Sequence, residues 1–242
     1  MEFAIDTVRI FLLLFMLGAA SIFDVRARKI PDVLWLVCGG LGIILYVFDW
    51  QSVTSYHILS MVVTVAIALL LYLYKITGTA DVFALLSFAI ILPVYYEFVM
   101  VPIAVLIAAL MLVVFFTVLY NVFVNVSDII KSKRIIFFEF KTESKYRKVF
   151  AFFVIHRKRK FEKFVIPAEK LMSFSPSKKS FVLLTLSSKR ESFDILQLQT
   201  KYSGEIFVQN IPPLIAYMFG ITIFVLFPEI LSMLFYHFRL SN

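Results

Sequence analysis

Long apolar stretches alternate with short polar breaks along most of this chain. The stretches fall at residues 3–23, 33–48, 58–74, 82–94, 99–126 and 211–235. None shows the period-two alternation of a membrane barrel strand, so each is predicted to be a helix. About 20 mostly apolar residues cross the ~30 Å hydrocarbon core of a bilayer. Composition supports the same reading: 61% of the 242 residues are hydrophobic and only 17% are charged, more apolar surface than a soluble domain can hide. The expected fold class is an all-α polytopic membrane protein of about six transmembrane helices. The fourth stretch is short, and Pro93 and Pro102 lie near its boundary with the fifth.

Residues 127–209 break the pattern. They hold 18 of the 24 Lys and Arg but 8 of the 16 Asp and Glu, a formal charge of +10. Phe-rich and β-branched runs at 134–141, 149–156, 181–186, 193–199 and 205–208 are separated by polar clusters such as Ser175-Pro176-Ser177-Lys178-Lys179. That alternation predicts strands. The expected organisation is a membrane core of five helices over 1–126, a small basic cytoplasmic β-rich domain over 127–209, and a sixth transmembrane helix with the C-terminus over 210–242.

Lys and Arg set the orientation, because short basic loops stay in the cytoplasm. Arg26, Arg28 and Lys29 follow the first helix, Lys75 follows the third, and the basic domain follows the fifth; the breaks at 49–57 and 95–98 carry neither Lys nor Arg. Both termini are therefore expected outside, in a multi-pass cell-membrane protein. Glu2 and Asp6 precede a lone Arg9, the wrong charge for a secretory n-region, so the first stretch reads as a retained helix.

The basic domain suits anionic membrane lipids as partners, each basic residue near such a surface contributing ~1 kcal/mol. Arg157-Lys158-Arg159-Lys160 is accompanied by no nucleic-acid-binding module, so no nucleic acid is expected. Cys38 is the sole cysteine, and His57, His156 and His237 lie in separate segments. Neither zinc-ligand spacing nor a phosphate-cradling Gly-rich loop is present, so no metal and no cofactor are expected.

Carboxylates are left. Outside the basic domain there are eight, and the predicted topology puts Asp24, Asp32 and Asp81 on the inner side. Asp24 ends the first helix and Asp81 begins the fourth, at one depth. Peptide hydrolysis by carboxylates needs two facing one water: one activates the water, and the other, protonated, polarises the scissile carbonyl and later protonates the amine. Ionisable groups at membrane depth are costly and mark function. The plainer alternative is that each is an ordinary helix-end residue, Asp81 serving as a cap.

The local sequences bear on that choice. Ser21-Ile22-Phe23-Asp24-Val25-Arg26-Ala27-Arg28-Lys29-Ile30-Pro31-Asp32 resembles the first catalytic motif of the type IV prepilin peptidases, and Thr77-Gly78-Thr79-Ala80-Asp81-Val82 resembles the second, Gly-x-Gly-Asp, with Ala80 in place of the second glycine. Within that group the likeness is to archaeal preflagellin and prepilin peptidases, which have six helices and a cytoplasmic domain before the last. The resemblance implies an aspartic endopeptidase with Asp24 and Asp81 catalytic. Its substrates would be precursors with a short basic leader before a hydrophobic helix, cut at the cytoplasmic face. Gly78 enters as a motif residue that permits a tight or positive-φ backbone, and Asp32 as a contact for the basic leader or a cap of the second helix. Pro212-Pro213 either breaks the last helix and opens a groove where substrate backbone adds, or sits in the first turn, where a helix tolerates proline well. Two rivals stay open: an intramembrane Gly-x-Gly-Asp protease of the presenilin or signal-peptide-peptidase kind, and a non-enzymatic transporter using the two Asp as ion ligands.

Overall fold

The structure is a computed structural model describing residues 2–74, 77–95, 98–132, 136–137, 140, 143–158, 165–171, 179–181, 206–210 and 212–227. It is mostly helical with small sheets, and the chain divides into two compact units, 1–112 with 213–242, and 113–212.

The first unit holds α1 (Glu2–Ala27), α2 (Asp32–Phe48), α3 (Ser55–Leu73), α4 (Thr79–Ile91), the start of α5 (Val101–Ser132), and α7 (Leu214–Leu226). α1, α3 and α5 are long and apolar enough to cross a membrane; α2, α4 and α7 are shorter apolar helices. Of the six predicted spans, three are thus helices of spanning length and three are shorter apolar helices. At ~1.5 Å per residue, the 13 residues of α4 cover only about 20 Å.

Irregular backbone at membrane depth survives only where protein satisfies its polar groups. Beyond α4, a two-stranded antiparallel hairpin forms from β1 (Val94–Tyr95) and β2 (Phe98–Val99). The buried Ser60 hydroxyl of α3 donates to the Pro93 carbonyl at 2.7 Å, and the Tyr95 hydroxyl donates to the Leu226 carbonyl at 3.1 Å. Both bonds hold the end of the short helix inside the unit.

α4 packs against α1, α2, α3 and α7, and residues on all its sides are buried, among them Val82, Leu85, Phe88 and Ile91. That explains why its sequence is apolar all round. Against it lies a small-residue stripe of α2: a Cβ at Gly42 would meet Ile91 Cγ1 at 2.9 Å, and one at Gly39 would meet Ser87 Oγ at 3.6 Å. On the other side, Ser21 donates to Leu17 and lies 3.4 Å from the Ile215 carbonyl of α7, while Gly18 faces the Phe219 ring. Pro213 is the N-cap of α7, so the proline pair sits where a helix tolerates it best.

The second unit combines the rest of α5 with α6 (Lys145–Val154), a three-stranded antiparallel sheet and a two-stranded one. β7 (Ile206–Asn210) lies between β3 (His156–Lys158) and β4 (Val165–Pro167), with His156 and Pro167 flanking Val208. β5 (Glu169–Leu171) pairs with β6 (Lys179–Phe181). Ile136, Phe137, Phe140, Ala151, Ile155, Ala168 and Phe207 form its core. Asn121 and Asn125 of α5, both fully buried, donate to the Phe153, Phe152 and Ile155 carbonyls at 3.1, 2.8 and 2.8 Å. They thereby satisfy the carbonyls that a helix end leaves over.

One strand prediction fails here, and a second is described only in part. The run 149–156 is helix α6, with only His156 in a strand. Ser144 caps it by accepting the Arg147 N–H at 3.3 Å, and Arg147 pairs with Glu143 at 2.8 Å one turn back. Local capping and an apolar period of three to four outweigh β propensity. In the run 134–141, the described residues Ile136 and Phe137 form a turn. The run 205–208 is β7, and Phe181 ends β6; 182–186 and 193–199 lie outside the described residues.

Candidate functional site

α1 ends on an unusual turn. The Arg28 N–H donates to the Phe23 carbonyl at 3.1 Å, and Arg28 has φ 54°, a left-handed conformation that costs a non-glycine residue ~1–2 kcal/mol. That turn folds the guanidinium back onto the helix, where Nη1 lies 3.2 Å from Oδ1 of Asp24. Asp24 itself is 7% exposed. Arg28 is the residue the sequence reading left out of the site; the signal was its spacing of four from Asp24, the spacing of helical ion pairs.

Asp81 occupies the third position of α4, whose N-cap is Gly78. Its Oδ2 accepts the Gly78 N–H at 2.9 Å, the return half of a capping box. The capping role weighed from the sequence is therefore real, in the first turn rather than at the cap itself. Gly78 has φ −69° and ψ 155°, extended backbone open to any residue, so of the tight or positive-φ conformations that glycine permits, the positive φ is not used here.

The packing fixes where these groups lie. Gly39 faces Ser87 and Gly42 faces Ile91, so α2 and α4 run in the same direction. Stepping back along both by equal numbers of residues brings Asp32 level with Ala80, beside Asp81. Asp32 starts α2 as an exposed residue after the N-cap Pro31, a short connection away from Asp24. Because α1 also packs against α4, Asp24, Asp32 and Asp81 share one end of the first unit.

Two further polar groups belong to that end. Trp35, one turn into α2 on the stripe that faces α4, is 4% exposed, and its indole N–H has no acceptor among the described residues. The buried hydroxyl of Thr77, next to Gly78, likewise has no partner there. Among the described residues no cluster of His, Cys, Asp or Glu is arranged to hold a metal ion.

Packed apolar helices, three of them long enough to cross a membrane, make up the first unit, with Asp24 near the end of α1 and Asp81 near the start of α4. Residues 11–120 match the model of the type IV leader peptidase family. The match covers α1 through most of α5, less than half of the chain, and makes that segment similar to a family of aspartic peptidases. No curated protein and no solved structure matches the chain.

Proposed function

We propose that the protein is a membrane-embedded aspartic endopeptidase that removes the short basic leader of preflagellin or type IV prepilin-like precursors at the cytoplasmic face. One observation carries this reading: Asp24 and Asp81 lie at the same end of two packed helices within the segment that matches the leader peptidase family. Asp24 and Asp81 are the catalytic pair. One carboxylate takes a proton from the attacking water; the other, protonated, hydrogen-bonds the scissile carbonyl and then protonates the departing amine. Arg28 orients Asp24, and the cap around Gly78 orients Asp81.

The precursor's hydrophobic helix enters from the bilayer while its basic leader stays in water. Asp32, exposed at the same end, is placed for contact with leader Lys or Arg. The donors of Trp35 and Thr77, without acceptors among the described residues, supply hydrogen bonds to substrate backbone, which removes the cost of leaving buried polar groups unmade.

The test is purified full-length protein incubated with a peptide bearing a basic leader ahead of a hydrophobic run. Cleavage at the junction, lost in Asp24→Asn and Asp81→Asn, is the expected result. Cleavage within the hydrophobic run instead would indicate the presenilin-like reading, and ion flux without cleavage the transporter reading.

A further inference from the structure

α6 is apolar on two faces, and among the described residues one of them packs into a core while the other is exposed. Ala151 and Ile155 enter the core of the second unit, with Phe152 and Val154 packed against it. On the opposite side Tyr146, Val149, Phe150 and Phe153 are exposed, by 88% for Tyr146 and 60% for Val149. Their spacing makes one continuous stripe along the helix. Lys145 borders the stripe on one edge and Arg147, which pairs with Glu143 at 2.8 Å through one nitrogen, on the other, both exposed.

The depth of this helix follows from α5. At ~1.5 Å per residue, about 20 residues cross a ~30 Å core, so a count from Val101 reaches the membrane edge near Asn121. The side chains of Asn121 and Asn125 hold the last carbonyls of α6. The stripe thus lies on a helix bonded to α5 within the last turns of its apolar stretch, in a segment whose formal charge is +10.

The geometry points to α6 as an in-plane interfacial anchor, its stripe of Tyr146, Val149, Phe150 and Phe153 sunk into a bilayer surface rich in anionic lipid, with Lys145 and Arg147 at the headgroups. A helix with one apolar stripe edged by basic residues binds in this way, through buried area and attraction to anionic headgroups. The basic residues thus act locally, on a named helix, and the assignment does not depend on the catalytic reading.

Full-length protein with Cys38→Ala and a single Val149→Cys, spin-labelled and reconstituted in bilayers of neutral or part-anionic lipid, tests it. The label's accessibility to oxygen, which concentrates in the bilayer, is compared with that to a water-soluble nickel chelate. Oxygen accessibility should exceed nickel accessibility several-fold in part-anionic bilayers, and the ratio should fall in neutral ones. Adding Lys145→Gln and Arg147→Gln should remove that lipid dependence. Phe153→Cys gives the same reading should the first variant fail to fold. Free access of nickel at both positions overturns the assignment, as does shielding from both reagents, which would mean that a second copy of the chain covers the stripe. Equal ratios in the two lipids overturn the headgroup contacts.

Discussion

The two ends of the first unit both bury charge, and they do so in opposite ways. At the end remote from the aspartates, Arg9 of α1 is 3% exposed and lies 3.3 Å from Asp49 and 3.6 Å from Asp6, with its guanidinium 4.3 Å above the Tyr46 ring. One cation is enclosed by two anions and an aromatic face, which ties α1 to the end of α2. At the other end Asp24 and Asp81 are held on different helices by Arg28 and by a backbone N–H, while Trp35 and Thr77 carry donors without acceptors among the described residues. Compensated burial serves stability. Buried donors without hydrogen-bond partners among the described residues occur at both ends, Arg9 Nε and the Tyr46 hydroxyl at one and Trp35 and Thr77 at the other; only the latter lie beside Asp24 and Asp81, where a peptide backbone would need them.

The largest expected effects separate these ends. Asp24→Asn or Asp81→Asn should lower the cleavage rate by roughly 10²–10⁴-fold, the usual worth of general acid–base catalysis, without lowering the melting temperature in detergent. The double variant should be little worse than either, since the two act as a unit, and wild-type activity should follow a bell-shaped pH profile. A folded single variant retaining most of its rate would remove the pair from the mechanism.

Arg9→Met should do the reverse, destabilising the protein by ~3–5 kcal/mol because it leaves the buried Asp49 carboxylate without its cation. The rate per folded molecule should hold. A loss of rate with unchanged thermal unfolding would erase the contrast between the ends.

Gly42→Val tests the packing that brings Asp81 level with Asp32. The branched side chain must displace Ile91, at a cost of ~1–3 kcal/mol, seen as a lower unfolding temperature. Unaltered stability would show that α2 and α4 are not in close contact there.

Arg28→Gln should cost about tenfold in kcat, or ~1.4 kcal/mol, with KM little changed, because Arg28 orients Asp24 and does not touch substrate in this reading. A rise in KM alone would make Arg28 a substrate contact. The smallest effect is expected at Glu143→Gln in the second unit. Its partner Arg147 is half exposed, so the pair is worth at most ~1 kcal/mol, and cleavage should remain substantial. Complete loss would move chemistry into that unit.

Helix by helix, much of this protein was legible in its sequence. The stretches 33–48, 58–74, 82–94 and 99–126 correspond to Asp32–Phe48, Ser55–Leu73, Thr79–Ile91 and Val101–Ser132. In a chain whose solvent is lipid, hydrophobicity and helix length are the same quantity, so the sequence by itself determined where its helices run. The +10 segment and the two aspartate motifs were equally open to reading, since both are local. Tertiary structure alone decided the rest. Residues 149–156 have the composition of a strand, but a cap at Ser144 and two asparagines on another helix make most of them α6. Asp24 and Asp32 are brought level with Asp81 by the direction in which α2 packs on α4 through Gly39 and Gly42. No periodicity within a single helix encodes that direction, because it depends on which small residues two distant segments present to each other.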